Sequence, residues 1–188
     1  MKTNPFKLLI FLPAILLAPS CMSYIYNIKS MSVTFFSKAP LEDITAINKV
    51  SKPILNTATG DVIVKVPIQG FIFEKALMQE HFNENYMESE KYPDASFKGK
   101  ITEPIDWKKD GTYKLNIAGK LLVHGVEKDR TLPVVITIKG GEITVESKFT
   151  ITLKDHNITI PELVFQKIAE TVDVTLNATL VPYSPKKK

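Results

Sequence analysis

From about residue 60 onward the chain alternates apolar and polar residues with a period of two, and that pattern limits what it can fold into. Tyr113, Leu115, Ile117, Gly119 and Leu121 fall on one side of an extended segment, with Thr112, Lys114, Asn116, Ala118 and Lys120 on the other. Leu132, Val134, Ile136 and Ile138 repeat the pattern, as do Ile143, Val145, Ser147, Phe149, Ile151 and Leu153. Val172, Val174, Leu176, Ala178 and Leu180 complete the series. Successive strand side chains point to opposite faces, so each segment has one dry face and one wet face. That is the mark of antiparallel sheet.

The punctuation agrees with the periodicity. Gly140-Gly141 reads as a two-residue hairpin turn, Asp110-Gly111 separates a strand ending near Trp107 from one beginning at Thr112, and Thr59-Gly60-Asp61 opens a strand over Val62–Phe73. Earlier strands are expected at Tyr24–Lys29, Ser32–Ser37 and Ile44–Lys49, for about eight or nine in all. Two stretches look helical: Glu74–Glu84, with Leu77, Met78 and Phe82 on one side, and Pro161–Ala169. The reading is one all-β domain with a helical insertion. Its dry faces are hidden either in a closed barrel or in a stacked sandwich, and an eight-stranded barrel is filled by side chains or holds one small ligand.

The charge is placed where it says little about partners. The net charge of +4 comes from the ends, from Lys2 and Lys7 and from Lys186, Lys187 and Lys188 in the basic tail 184–188. With these set aside, basic and acidic side chains balance to within one, so no basic face for nucleic acid is expected. Catalytic signatures are equally sparse. His81, His124 and His156 stand more than thirty residues apart, with no metal-ligand spacing, no Gly-x-Ser-x-Gly elbow and no phosphate-cradling glycine run. Neither a metal nor another cofactor is expected.

The N-terminus reads as an address. Lys2 and Lys7 precede eleven apolar residues, Leu8–Ala18, and small residues follow at Ala18, Ser20 and Ser23. This is the layout of a secretory signal peptide over residues 1–20, with cleavage after Ser20 or as late as Ser23. The apolar run is too short for the roughly 20 residues of a membrane-spanning helix. Cys21, the single cysteine, stands either as the acylated first residue of a lipoprotein or as a remnant beside the cleavage site. Leu17 lies one position too far upstream for the lipoprotein spacing, which favours soluble export. A disulfide framework is excluded in either case.

Several segments together resemble the YceI-like family of exported bacterial proteins. In the run Phe73–Ile101 the resemblance rests on Phe82, Tyr92, Pro93 and Phe97; in Gly111–Ile136 it rests on Gly119, Leu121, His124, Gly125, Val126 and Lys128. VTFFSKAPLEDITAINK, Val33 to Lys49, and FTITLKDHNITIP, Phe149 to Pro161, look similar too, so the likeness spans nearly all of residues 24–183. The chain departs from many members before Glu74, where PIQGFIFEKALMQEHF lacks the Arg-Asp that precedes their hydrophobic pair. The resemblance implies a lipocalin-like, antiparallel eight-stranded barrel with a short helix near its mouth. It also implies a long apolar ligand such as a polyisoprenoid, an isoprenoid quinone or a fatty-acyl derivative. Tyr92-Pro93 and His124-Gly125 are read as turn-fixing pairs.

The functional expectation is a non-enzymatic carrier or sequestering protein of the cell envelope, periplasmic or secreted. The lining is expected from the dry faces: Leu115, Ile117, Ile136, Val145, Phe149, Ile151, Val174 and Leu176. Met78 and Phe82 close the mouth, and Glu74–Tyr86 acts as its gate. Membrane contact is compatible with this reading, without a transmembrane span, and the oligomeric state is open. Two other readings stand beside it: an isoprenoid-modifying enzyme, which needs polar groups converging inside, and a packed, ligand-free barrel acting through its surface.

Overall fold

The computed structural model describes residues 26–160 and 168–182. They form one antiparallel sheet curled into a half-barrel, with one short helix, α1 (Ala76–His81). The strands are β1 (Tyr26–Lys38), β2 (Asp43–Asn48), β3 (Lys52–Leu55), β4 (Asp61–Pro67), β5 (Phe71–Phe73), β6 (Asp94–Lys100), β7 (Gly111–Val123), β8 (Val126–Lys139), β9 (Glu142–Thr152) and β10 (Thr171–Pro182). Across the sheet they run β3-β4-β6-β7-β8-β9-β10-β1-β2-β5. The all-β, antiparallel expectation holds, with ten strands in place of eight. The expected leader with Cys21, residues 161–167 of the second helical stretch and the basic tail lie outside the described residues. No helix among the described residues is long and apolar enough to cross a membrane.

The departures in strand count have local causes. β1 runs unbroken where the alternation predicts two strands, because a register shift between Ile28 and Ser30 against β10 absorbs the irregularity. The stretch Val62–Phe73 divides at Pro67, which has no N–H for a ladder. A 3-10 turn, Ile68–Gly70, lifts the chain off β6, and β5 then pairs with β2 on the far side of the opening. β3 contains Pro53, which argues against a strand from sequence, but an edge strand tolerates the missing donor. The segment ending near Trp107 is a loop. There Asp106 Oδ1 accepts the Lys108 N–H at 3.0 Å and its carbonyl accepts Lys109 N–H at 3.2 Å, a side-chain-stabilised turn.

β7 to β10 form the regular part of the wall. Gly140 and Gly141 take φ of 58° and 81°, and His124 and Gly125 take 48° and 72°, so both hairpins turn in two residues with φ positive at each. The register places Ile117 opposite Leu132 and Ile136 opposite Val145, both pairs on the inward rows.

The two ends of the sheet, β3-β4 and β2-β5, are tied together by a buried side chain. Asn48, fully buried at the end of β2, donates from Nδ2 to the Pro67 carbonyl at 2.7 Å. Its Oδ1 accepts the N–H groups of Val50 and Ser51 and the Ser51 hydroxyl, at 2.9, 3.0 and 2.8 Å. A buried amide with this many partners pins β2 to β4 without a ladder between them.

Candidate ligand cavity and its mouth

The inward rows of the wall do not meet in the middle. They enclose an inner cavity of about 140 Å³ with almost no polar atom on its surface. Ile117, Ile136 and Val145 line it from β7 to β9, and Phe149, Ile151, Val174 and Leu176 continue the wall on β9 and β10. Leu115, expected beside them, is buried in the core but lies off the cavity wall. It shares the inward row of Ile117, two residues nearer the Gly111 end. Ser147 is the buried polar residue of this wall. Its hydroxyl donates to the Pro133 carbonyl at 2.7 Å, which turns its polarity into the β8–β9 seam and leaves the interior apolar.

Above this lies a mouth cavity of about 460 Å³, within the range of pockets that bury most of a small ligand. Met78 and Phe82 line it, together with Phe35, Phe71 and Phe73, which the sequence did not single out. The Phe82 ring stacks on Phe35 at 5.4 Å and meets Phe71 and Phe73 at 5.6 and 5.0 Å. The period-two spacing of Phe71 and Phe73 was the available signal, hidden because Pro67 and the turn after it moved their strand to another partner. The less buried polar groups on its wall are Glu42, Lys75, His81 and Tyr86, at the rim; Ser37 is buried and its hydroxyl accepts the Ala169 N–H at 3.0 Å. Lys75 Nζ bridges Glu42 at 2.5 Å, and that bond raises its pKa above the ordinary lysine value. Burial pushes the Tyr86 hydroxyl pKa upward as well.

The roof of the mouth is shorter and less regular than the helix expected over Glu74–Glu84. α1 starts at Ala76, and after His81 the chain widens into a π-helical turn, Phe82–Tyr86, closed by Met87 N–H to Phe82 O at 2.9 Å. The wider turn brings Phe82, Tyr86 and Met87 onto the cavity together. α1 itself has no buried side chain and no side-chain cap. Leu77, although on the cavity, is 60% exposed.

Beyond the π turn the chain is tied to the β7–β8 hairpin. The ring of His124 has its Nε2 at 2.8 Å from the Glu88 carboxylate and its Nδ1 at 3.1 Å from the His156 carbonyl. Tyr92 packs edge-on against His124 at 4.6 Å, and a Cβ at Gly125 would meet the Tyr92 ring at 2.4 Å. Only glycine fits there. His156 occupies a 3-10 turn (Leu153–His156) and is fully buried. Its Nδ1–H donates to the Val126 carbonyl at 3.1 Å, Nε2 has no hydrogen-bond partner, and burial lowers its pKa from the usual histidine value.

A family model described as the YceI-like domain matches residues 27–180. The chain belongs to the YceI-like family. No curated protein matches it. Among solved structures it is similar to a polyisoprenoid binding domain from Saccharophagus degradans implicated in plant cell wall breakdown. The TM-score is 0.72 at 13% identity, over 85% of this chain and 99% of that one. Burkholderia cenocepacia BcnA gives 0.66 at 18%, over 79% and 95%. A Campylobacter jejuni YCEI protein gives 0.53 at 18%, over 98% and 100%. At these identities the likeness is one of fold. In this member of the YceI-like family the motif residues Tyr92, His124 and Gly125 bind the roof to the β7–β8 hairpin and stand off the cavity walls.

Proposed function

We propose that this protein binds a long-chain amphipathic lipid, a polyisoprenoid, isoprenoid quinone or fatty-acyl derivative, inside its half-barrel, for carriage or sequestration in the cell envelope. The observation that carries the reading is the pair of adjoining cavities, apolar inside and polar chiefly at the rim. An apolar chain gains about 0.8 kcal/mol for each methylene it buries, and such a chain asks nothing of the wall except dryness. The rim groups Glu42, Lys75, His81 and Tyr86 suit the polar head of the same molecule. The solved polyisoprenoid binding domain of similar fold supports this class of ligand. The leader-like N-terminus supports export, and the spacing around Cys21 favours a soluble form.

Met78 and Phe82 have different parts in this reading. Phe82, held by three rings, anchors the roof, while α1 with Met78 is the part that lifts to admit the chain. The protein acts by binding and performs no chemistry on the lipid. Organic extraction of protein purified from a bacterial envelope, followed by mass spectrometry, tests the proposal. A stoichiometric long-chain lipid is the expected finding. Protein that is repeatedly recovered clean and takes up no added isoprenoid would overturn it.

A further inference from the structure

We infer that the inner cavity is a tail pocket entered through a collar, and that the collar makes this protein select chains by length. The inference rests on the lipid-binding reading above. The two cavities share four wall residues, Ala95 on β6, Val123 on β7, Ile151 on β9 and Val174 on β10. A chain passing from one cavity to the other goes between these four. Ala95 is the smallest of them, so its short side chain leaves the passage open.

The volumes set the length at which the step falls. A chain carbon needs roughly the space of one water in the liquid, about 30 Å³. At about 460 Å³ the mouth cavity takes a chain of about fifteen carbons, and at about 140 Å³ the inner pocket takes about five more. Each methylene left in water rather than buried lowers affinity about fourfold. A chain that stops in the mouth cavity gains nothing from the inner pocket. One isoprenoid unit more carries it through the collar into a wall with no polar partner to offer, so the tail taken there is hydrocarbon.

Farnesol and geranylgeraniol, which differ by that one unit, are the probes. In an equimolar competition read by native mass spectrometry, the unmodified protein should hold geranylgeraniol over farnesol by about a hundredfold, after the cost of ordering the tail. Ala95→Leu narrows the collar, and Ala178→Leu fills the inner pocket from β10 without touching the collar. Each should reduce the preference to within about fivefold, and Ala178→Leu, which lies off the mouth cavity, should retain farnesol. Either variant suffices if the other does not fold. Folded variants that keep the full preference, or a folded Ala178→Leu that loses both prenols alike, overturn the collar. An unmodified protein that takes up neither prenol overturns the lipid reading itself.

Discussion

The strand wall and the roof over its mouth are held by different means. β7 lies between β6 and β8 and pairs with β8 along its whole 13-residue length, with its inward row buried against the core. α1 has six residues, no buried side chain and no cap, and helices shorter than about 12 residues are marginal alone in water. Its attachments are few: the Glu42–Lys75 bridge, the Gln79 side chain accepting the Phe73 N–H at 3.3 Å, and the Phe82 ring just beyond its end. The wall spreads its stability over many contacts, whereas α1 hangs on a few, with Phe82 its chief aromatic anchor and the chain beyond the π turn tied separately through His124 and Tyr92. Segments held by few apolar contacts open at low free-energy cost, so entry belongs to the roof and retention to the wall.

Substitutions that touch one region alone can break this division. Asn48→Ala should have the largest effect, about 3–4 kcal/mol of global stability in a denaturant titration, because it strips buried partners from Pro67, Val50 and Ser51 at once. Phe82→Ala should cost about 2–3 kcal/mol by loss of three ring contacts. Its signature should be faster exchange of amides 76–93, with β7–β9 unchanged. If the two variants lower exchange protection in the same regions, wall and roof are one cooperative unit.

His156 gives the comparison a pH axis. The folded ring has a pKa below the unfolded value of 6.5 because burial disfavours the charged form. Below pH 6.5 the unfolded chain therefore binds more protons than the folded one, so stability is level above about pH 6.5 and falls as pH drops from there toward the folded value. His156→Phe should flatten that slope in thermal melts between about pH 5 and 7. Retention of the full slope would assign it to other groups. Met78→Ala should cost only about 1 kcal/mol, since the side chain is half-buried, yet should speed lipid release measured by stopped-flow transfer. Lys75→Met should be smallest of all, because its partner bridge is exposed.

The legible part of this molecule is the part whose physics is periodic. The inward rows of β7 to β10 and the turns at Gly140-Gly141 and His124-Gly125 follow from alternation and glycine alone, and they built most of the inner wall. What escaped has non-local causes. Pro53 marks a strand only because β3 is an edge, and the division at Pro67 shows only when β5 finds β2. The switch to a π turn at Phe82 preserves the apolar spacing of an α-helix, so the pattern looked the same. Asn48 is one amide among many until the fold brings Pro67 to it. Leu115 has the correct parity but sits where the interior is solid.

Hydrogen exchange with and without a bound prenol tests the division between roof and wall most directly. Without lipid, amides of Ala76–His81 should exchange far faster than those of β7 to β9; with geranylgeraniol bound they should slow markedly while the strands stay as they were. A roof already as protected as the strands in the lipid-free protein, or one whose exchange is indifferent to lipid, would contradict the account.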